Sequence, residues 1–313
     1  MIDRPQLSVV ATLYRSAAGL GEFHDRVTAA ARALAGDSYE IVLVNDGSPD
    51  DSLDLALAAA DADSHIVVVD LSRNFGHHKA MMTGLDHARG EKIFLIDSDL
   101  EEDPAWLTDF DRTMQSAQSD VVYGVQTHRK GGVFEQWSGE AFYGMFNWST
   151  GLDLPRNLVT ARLMTRRYVD ALLLHREREI FLAGLWQITG FTQTPVEVAK
   201  LSLSATSYSF RRKLGIFVDS ITSFTNAPLV FIFHVGVTIS FLALAYILWL
   251  VINRLFLSMP QSGWTSVVAS IWLVGGLNIL FLGVIGIYLS KIFTETKRRP
   301  YTIVRRVYGR VEK

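Results

Sequence analysis

IFLIDSDLEED, at residues 93–103, is the stretch that says most about the fold of this 313-residue chain. Four apolar residues lead into two carboxylates, Asp97 and Asp99, that are separated by one residue. A short apolar run of this kind is typical of a central strand in a covered parallel sheet. Ligands of such sheets bind at the carboxyl ends of the strands, where both carboxylates would lie. The alternative is a solvated acidic loop that caps the helix expected near Pro104, and an Asp-x-Asp pattern alone favours that loop.

The carboxylates also suggest a ligand. Mg²⁺ and Mn²⁺ prefer oxygen ligands and usually bind through one or two carboxylates together with substrate phosphates. If residues 93–96 form a strand, Asp97 and Asp99 therefore predict a site for a metal-bound diphosphate.

The rest of the N-terminal part alternates between apolar runs and amphipathic stretches. Strands are predicted at residues 7–13, 40–44, 65–71, 92–96 and 120–125, with helical composition between them. This order predicts an α/β domain with a mostly parallel sheet that is covered by helices. Asp46 follows the second strand and precedes Gly47, so it is predicted to face a ligand. The alternative is a turn in which Ser48 or Asp50 caps the next helix.

Two long uncharged stretches follow. Residues 228–253 and 255–290 contain no Asp, Glu, Lys or Arg, and each exceeds the roughly 20 residues that a spanning helix needs. We predict transmembrane helices near 229–252 and 264–289. Basic residues flank both outer ends, at 211–213 and from Lys291 onward, which predicts that both termini are cytoplasmic. The N-terminus carries no apolar signal segment, so we expect an integral protein of the cytoplasmic (inner) membrane whose large domain is not exported.

Composition excludes some classes of site. The chain has no cysteine, which rules out disulfides and thiolate metal sites. No nucleic-acid partner is expected. His77, His78 and His87 lack the spacing of a metal site, so structural or substrate hydrogen bonding is the preferred interpretation.

Four motifs in order carry a family resemblance. Residues 45–48, 71–77, 84–90 and 97–100 resemble successive motifs of family 2 glycosyltransferases with the GT-A (Rossmann-like) fold. The likeness is strongest to polyprenyl-phosphate glycosyltransferases, the bactoprenol glucosyltransferase and dolichol-phosphate mannose synthase group, and it continues through residues 208–214 and both predicted spans. The resemblance implies an inverting, metal-dependent transfer of a sugar from a UDP- or GDP-sugar to a polyprenyl phosphate on the cytoplasmic leaflet, for cell-envelope glycans. It also implies Mg²⁺ or Mn²⁺ as cofactor, the lipid bilayer as a partner, and a homo-oligomer.

The resemblance also implies roles for individual residues. Asp46 would bind the base or ribose, Asp97 would lie near the ribose or sugar, and Asp99 would hold the metal; Asp97 and Asp99 are also assigned to catalysis. Glu101 is a second candidate metal ligand, because it stands where relatives often have a glutamine. The remaining residues assigned to the nucleotide-sugar site are Tyr14, Gly76, Lys79 and Ser98. Thr12, Arg15 and Ser16 depart from the family pattern around Tyr14.

Cations are needed to bring a lipid phosphate to an anionic donor, and arginine contacts phosphate bidentately. The candidates are Arg129, Lys130, Arg162, Arg211 and Lys213, of which Arg129 and Arg162 are also assigned to catalysis. Thr160 replaces an acidic residue that relatives place near the acceptor. A lipid phosphate is already anionic near neutral pH, so the predicted reaction needs no carboxylate base.

Four segments are predicted: a GT-A domain at 1–205, an amphipathic juxtamembrane helix at 206–227, a two-helix membrane domain at 228–291 and a basic cytoplasmic tail at 292–313. Aromatic residues between 134 and 148 predict a second helix on the membrane surface. The alternatives for that helix are packing on the sheet or a subunit contact. Two other functions stay open: a processive polysaccharide synthase, disfavoured because the Gln-x-x-Arg-Trp signature is absent, and a non-catalytic nucleotide-sugar-binding partner of a flippase.

Overall fold

The structure is a computed structural model that describes residues 4–126, 144, 155, 157–178, 180–201, 218, 222, 225–257 and 263–309. The described residues fall into two compact units. The first contains the described residues up to 201 together with those from Arg299 onward, and the second lies within Ser209–Arg298.

The first unit is an eight-stranded sheet with helices around it. The strands are β1 (Leu7–Leu13), β2 (Tyr39–Asn45), β3 (Ile66–Leu71), β4 (Lys92–Leu95), β5 (Val121–Gln126), β6 (Leu158–Thr165), β7 (Gln193–Val198) and β8 (Val304–Tyr308). The helices are α1 (Leu20–Ala35), α2 (Ser52–Ala62), α3 (His77–His87), α4 (Trp106–Ala117), α5 (Arg166–Leu172) and α6 (Leu182–Ile188).

The sheet order is β7-β5-β6-β4-β1-β2-β3-β8. Strands β1 to β4 run parallel to one another, whereas β6 and β8 are antiparallel to their neighbours. All residues of β1, β2 and β3 are buried, as expected of strands covered on both faces. The predicted α/β class with a mostly parallel sheet is confirmed, and residues 93–95 do lie in a central strand.

Helix α3 packs unusually close to the sheet. A Cβ atom added to Gly84 would lie 2.5 Å from Val10 Cγ1 and 2.9 Å from Val44 Cγ2, so a larger residue would push the helix away from β1 and β2. Because α3 begins at His77, this packing brings the first turn of the helix to the carboxyl ends of those strands.

The C-terminal segment joins the sheet. Within residues 292–313, predicted to be a basic cytoplasmic tail, Val304–Tyr308 form β8, which pairs antiparallel with β3 at the sheet edge. Ser72 N also donates to Ile303 O at 2.9 Å. The chain therefore returns to the first unit after the second unit is complete.

The second unit contains two long helices, α7 (Ala227–Leu257) and α8 (Trp264–Thr296), of 31 and 33 residues. Candidate membrane spans lie at Ala227–Tyr246 and Ser270–Thr296, each with a mean hydropathy of 2.1. Large apolar side chains on both helices are exposed, for example Phe241 and Trp272. The prediction of two C-terminal helices that could cross a membrane is confirmed. The predicted helices at 134–148 and 206–227 lie almost entirely outside the described residues.

Candidate functional site

A cavity of about 420 Å³ opens at the carboxyl ends of β1, β2 and β4. Its position follows from the parallel sheet, whose strand ends leave room for a ligand. The lining residues are Thr12, Tyr14, Ser16, Asp46, Asn74, Gly76, His77, Asp97, Ser98 and Asp99.

Asp46 is held by the loop that precedes α3. Its carboxylate accepts hydrogen bonds from Phe75 N at 2.7 Å and Gly76 N at 3.1 Å. Burial raises the pKa of Asp46, and these two hydrogen bonds offset only part of the increase. Gly47 allows the close approach of the two loops, since it has a φ of 58° and an added Cβ would overlap the backbone nitrogen of Asn74.

His77 connects β1 to the acidic run. Its Nδ1 lies 3.0 Å from Thr12 Oγ1, and its Nε2 lies 3.2 Å from Asp97 Oδ1. Burial raises the pKa of Asp97, but the contact with His77 outweighs burial and keeps that pKa below its ordinary value. Burial likewise lowers the pKa of His77, but Asp97 outweighs it and the pKa is raised. The two side chains therefore favour the imidazolium–carboxylate form.

The segment between the two aspartates is fixed to the end of β1. Ser98 Oγ donates to Thr12 O at 2.8 Å and lies 3.1 Å from Ser16 Oγ. Asp99 is exposed, and its Oδ1 accepts a hydrogen bond from Glu101 N at 3.0 Å. Although the residue as a whole is exposed, partial desolvation of the Asp99 carboxyl raises its pKa, and the charge of Asp97 adds to the increase.

The next two carboxylates of the run have a different environment. Lys200 Nζ lies 3.4 Å from Glu101 Oε2 and 3.7 Å from Glu102 Oε1. Glu102 is fully buried and accepts hydrogen bonds from Thr160 N at 2.8 Å and from Asp97 N at 3.3 Å. Burial raises the pKa of Glu102 to about 7, and Asp97 contributes to the increase.

Glu102 and Lys200 are not among the residues that the sequence predicts for the site. Nothing in the acidic run distinguishes a buried glutamate from an exposed one. Lys200 lies almost a hundred residues further along the chain, just after β7, and only the fold brings it to the run.

Arg162 lies in the interior, on β6. Its Nε donates to Thr160 O at 3.1 Å and its Nη2 to Val159 O at 3.2 Å. The guanidinium lies over the ring of Trp186, and burial lowers its pKa to about 9. This side chain is 1% exposed and does not line the cavity.

The predicted site residues therefore fall into three groups. Tyr14, Asp46, Gly76, Asp97, Ser98 and Asp99 line one cavity, whereas Lys79, Glu101 and Arg162 are not among its lining residues. Arg129, Lys130, Arg211 and Lys213 lie outside the described residues.

The donor set of the cavity suits a metal that arrives with its substrate. The described residues contain no group of three or more His, Asp or Glu side chains that could hold a metal ion. They do offer the two carboxylates of Asp97 and Asp99 on one cavity wall. Mg²⁺ commonly binds through one or two carboxylates plus substrate phosphates, so these residues fit the predicted cofactor.

Comparison with known proteins gives one family and relatives that align along most of their length. The family model described as "Glycosyl transferase family 2" matches residues 8–177, which is more than half of the chain. A Mycobacterium tuberculosis protein named "Putative glycosyltransferases" is 49% identical over 304 residues, 97% of this chain and 89% of the relative. The "Uncharacterized glycosyltransferase YkcC" of Bacillus subtilis is 32% identical over 307 residues, 97% of this chain and 94% of the relative. The "Undecaprenyl-phosphate 4-deoxy-4-formamido-L-arabinose transferase" of Yersinia pestis is 30% identical over 311 residues, with coverages of 97% and 94%.

Proposed function

Because this chain belongs to glycosyl transferase family 2 and is therefore a glycosyltransferase, we propose that it transfers a sugar from a nucleotide diphosphate sugar to a polyprenyl phosphate. One observation carries the acceptor assignment. The relative named as an undecaprenyl-phosphate sugar transferase aligns with 97% of this chain, so the alignment extends over the two long apolar helices as well as the sheet. A protein with a membrane portion of its own can meet an acceptor that stays in the bilayer.

The membrane topology is part of the proposal. Strand β8 follows α8 and pairs with β3, which supports a topology in which the chain leaves and re-enters on the same side of a membrane crossed by α7 and α8. Basic residues flank both outer ends of this helical pair, which favours the cytoplasmic side. The donor would thus come from the cytoplasm, and the product would form on the cytoplasmic leaflet.

The cavity at the strand ends would hold the donor. Asp46 would bind the base or ribose, because its carboxylate lies at the end of β2 and faces the cavity. Tyr14 is 47% exposed at the same cavity, and an exposed aromatic ring can stack on a base. Asp97, which contacts His77, would lie near the ribose or the sugar. Asp99 would hold Mg²⁺ or Mn²⁺ together with Asp97.

The reaction would be a direct displacement. An oxygen of the lipid phosphate forms a bond to the anomeric carbon while the bond from that carbon to the nucleotide diphosphate breaks, and its electrons leave with the diphosphate. A divalent cation would neutralise the charge that develops on this leaving group. No proton has to be removed from the acceptor, because a phosphate monoester is anionic near neutral pH. Thr160 in place of an acidic residue is compatible with this chemistry.

The acceptor phosphate needs cations. Lys200 lies beside Glu101 and Glu102 of the acidic run, and its charge partly balances these carboxylates. Arg129, Lys130, Arg211 and Lys213 stay predicted phosphate contacts. We assign Arg162 a positioning role on β6, since its hydrogen bonds go to backbone carbonyls in the interior.

The test uses the full-length protein in membranes with undecaprenyl phosphate, Mg²⁺ and a panel of labelled UDP- and GDP-sugars. We expect label from one donor in a lipid-linked monosaccharide, and loss of that product in Asp99→Asn. Asp109→Asn is the matched control, because Asp109 is an exposed residue on α4 that pairs only with nearby Arg112 in the described contacts. Lipid labelling that is unchanged in Asp99→Asn would refute the assigned site. Label in a soluble polymer would favour a polysaccharide synthase, and nucleotide binding without any turnover would favour a non-catalytic partner.

A further inference from the structure

Arg305 occupies an irregular position in the last strand. Asp70 of β3 pairs with Arg306, but the next residue, Leu71, pairs with Val304, so Arg305 is the extra residue of a bulge. Bulges redirect a side chain and are common next to functional sites. Here the bulge allows Arg305 to reach the end of β3.

Two groups on β3 and its following loop bind this guanidinium. Arg305 Nη1 lies 3.1 Å from Asp70 Oδ2, and Nη2 donates to Ser72 O at 2.9 Å. Asp70 is 1% exposed, whereas the Arg305 side chain is about half exposed. The guanidinium therefore provides the positive charge beside a buried carboxylate.

Asp70, the first partner of Arg305, is hydrogen-bonded to the turn that carries Asp46. Asp70 Oδ1 accepts a hydrogen bond from Asn45 Nδ2 at 2.8 Å, and Asn45 Oδ1 accepts one from Ser48 N at 3.1 Å. Asn45 directly precedes Asp46. The Asp70 carboxylate thus fixes the turn from its inner side, and Arg305 fixes the carboxylate.

The second contact leads to the other half of the Asp46 environment. Ser72 begins the loop that supplies Phe75 N and Gly76 N to the Asp46 carboxylate. Arg305 holds the carbonyl of Ser72, and Ile303 O accepts the Ser72 N–H. One side chain from beyond the second apolar helix therefore contacts the 72–76 loop directly and the 45–48 turn through Asp70.

We propose that Arg305 is a positioning residue for donor binding. Through it, β8, the strand that follows α8, orders the residues around Asp46 in the nucleotide site. This inference rests on the proposed function, because it assumes that Asp46 contacts the donor nucleotide. Loss of Arg305 should loosen the 45–48 turn and the 72–76 loop together. Donor affinity should fall about tenfold, the lower end of the effect of removing a residue that orients a ligand-binding group, while kcat and the KM for the acceptor stay unchanged.

The experiment compares Arg305→Gln, Arg305→Lys and Arg306→Gln in the full-length protein. Arg306→Gln is the matched control, since this substitution removes the same charge from the same strand. The guanidinium of Arg306 lies over Tyr308. Binding of UDP and of GDP, each with Mg²⁺, is measured by calorimetry, and amide hydrogen exchange of residues 72–80 is followed without nucleotide. We expect weaker binding and faster exchange in Arg305→Gln, an intermediate effect in Arg305→Lys, which cannot reach both acceptors in the same fork, and wild-type behaviour in Arg306→Gln.

Equal nucleotide affinity in Arg305→Gln and the wild type would overturn the inference, as would an equal loss in Arg306→Gln. If the wild type bound neither nucleotide, the proposed function would fail instead, and the exchange data would still decide whether Arg305 orders the loop. Should Arg305→Gln not fold, Arg305→Lys decides alone: weaker binding at an unchanged thermal midpoint supports the inference, and unchanged binding refutes it.

Discussion

Glu102 should make the stability of this protein depend on pH. Its side chain is fully buried, and burial raises its pKa from an ordinary 4.5 to about 7. Substitution by glutamine keeps the shape of the side chain and removes its titration. One of the two hydrogen bonds from Thr160 N and Asp97 N is lost in the variant, because an amide has only one acceptor oxygen.

The direction in which stability changes with pH follows from proton binding by Glu102. Between pH 4.5 and about 7 the folded protein keeps a proton on Glu102 that the unfolded chain has already released. The stability contributed by this group is therefore complete below pH 4.5 and is lost as the pH rises through about 7. The difference between the two pKa values corresponds to about 3 kcal/mol of unfolding free energy. Glu102→Gln does not lose this stability, so its stability relative to the wild type should increase as the pH rises.

The assay is the thermal midpoint of full-length protein in detergent, followed by tryptophan fluorescence from about pH 5 to pH 8. The lost hydrogen bond lowers the midpoint of Glu102→Gln by the same amount at every pH, so the informative quantity is the difference between the two curves. That difference should change by several degrees across the range. Glu22→Gln, an exposed glutamate on α1, should run parallel to the wild type. Parallel curves for Glu102→Gln as well would refute the raised pKa.

Two further predictions concern the loops around the cavity. Gly47→Ala should cost about 2 kcal/mol of stability and weaken donor binding, because a side chain there is strained at a φ of 58° and meets Asn74. The control is Gly21→Ala in α1, where an added Cβ meets nothing, so that variant should be neutral or stabilising. Equal thermal midpoints for the two variants would contradict the reasoning. Wild-type nucleotide affinity should fall as the pH rises through the raised pKa of His77, because the imidazolium then loses its charge beside Asp97. Measured by calorimetry, His77→Asn should bind the nucleotide more weakly, with an affinity that does not change over this pH range. A wild-type affinity that is independent of pH would exclude the charged pair.

The parts of the fold that sequence predicted correctly depend on local signals. The apolar run before Asp97 indicates a buried strand in a handful of residues, and the uncharged stretches indicate membrane helices by length alone. Strand β8 could not be found in this way. Its residues, 304–308, are rich in arginine, and its partner β3 lies more than 200 residues earlier, beyond both long helices.

The same limit applies to the site. Asp46, Asp97 and Asp99 could be predicted to lie together because each aspartate closely follows a predicted strand, and strand ends of a parallel sheet meet at one edge. It assigned Arg162 to the acceptor from its charge alone. The structure places that arginine on an inner strand, where Trp186 and two carbonyls surround it, and only tertiary packing carries that information.

The acidic run after β4 contributes carboxylates to two environments, and the backbone bends at Leu100 between them. This residue has a φ of 60°, a conformation that is costly for a branched side chain and is typically retained at functional positions. Packing compensates for the cost, since the Leu100 side chain lies against the apolar core. The turn separates Asp97 and Asp99, which line the cavity, from Glu101 and Glu102, which lie beside Lys200. Four carboxylates on one face would repel a diphosphate, whereas two can share a cation with it.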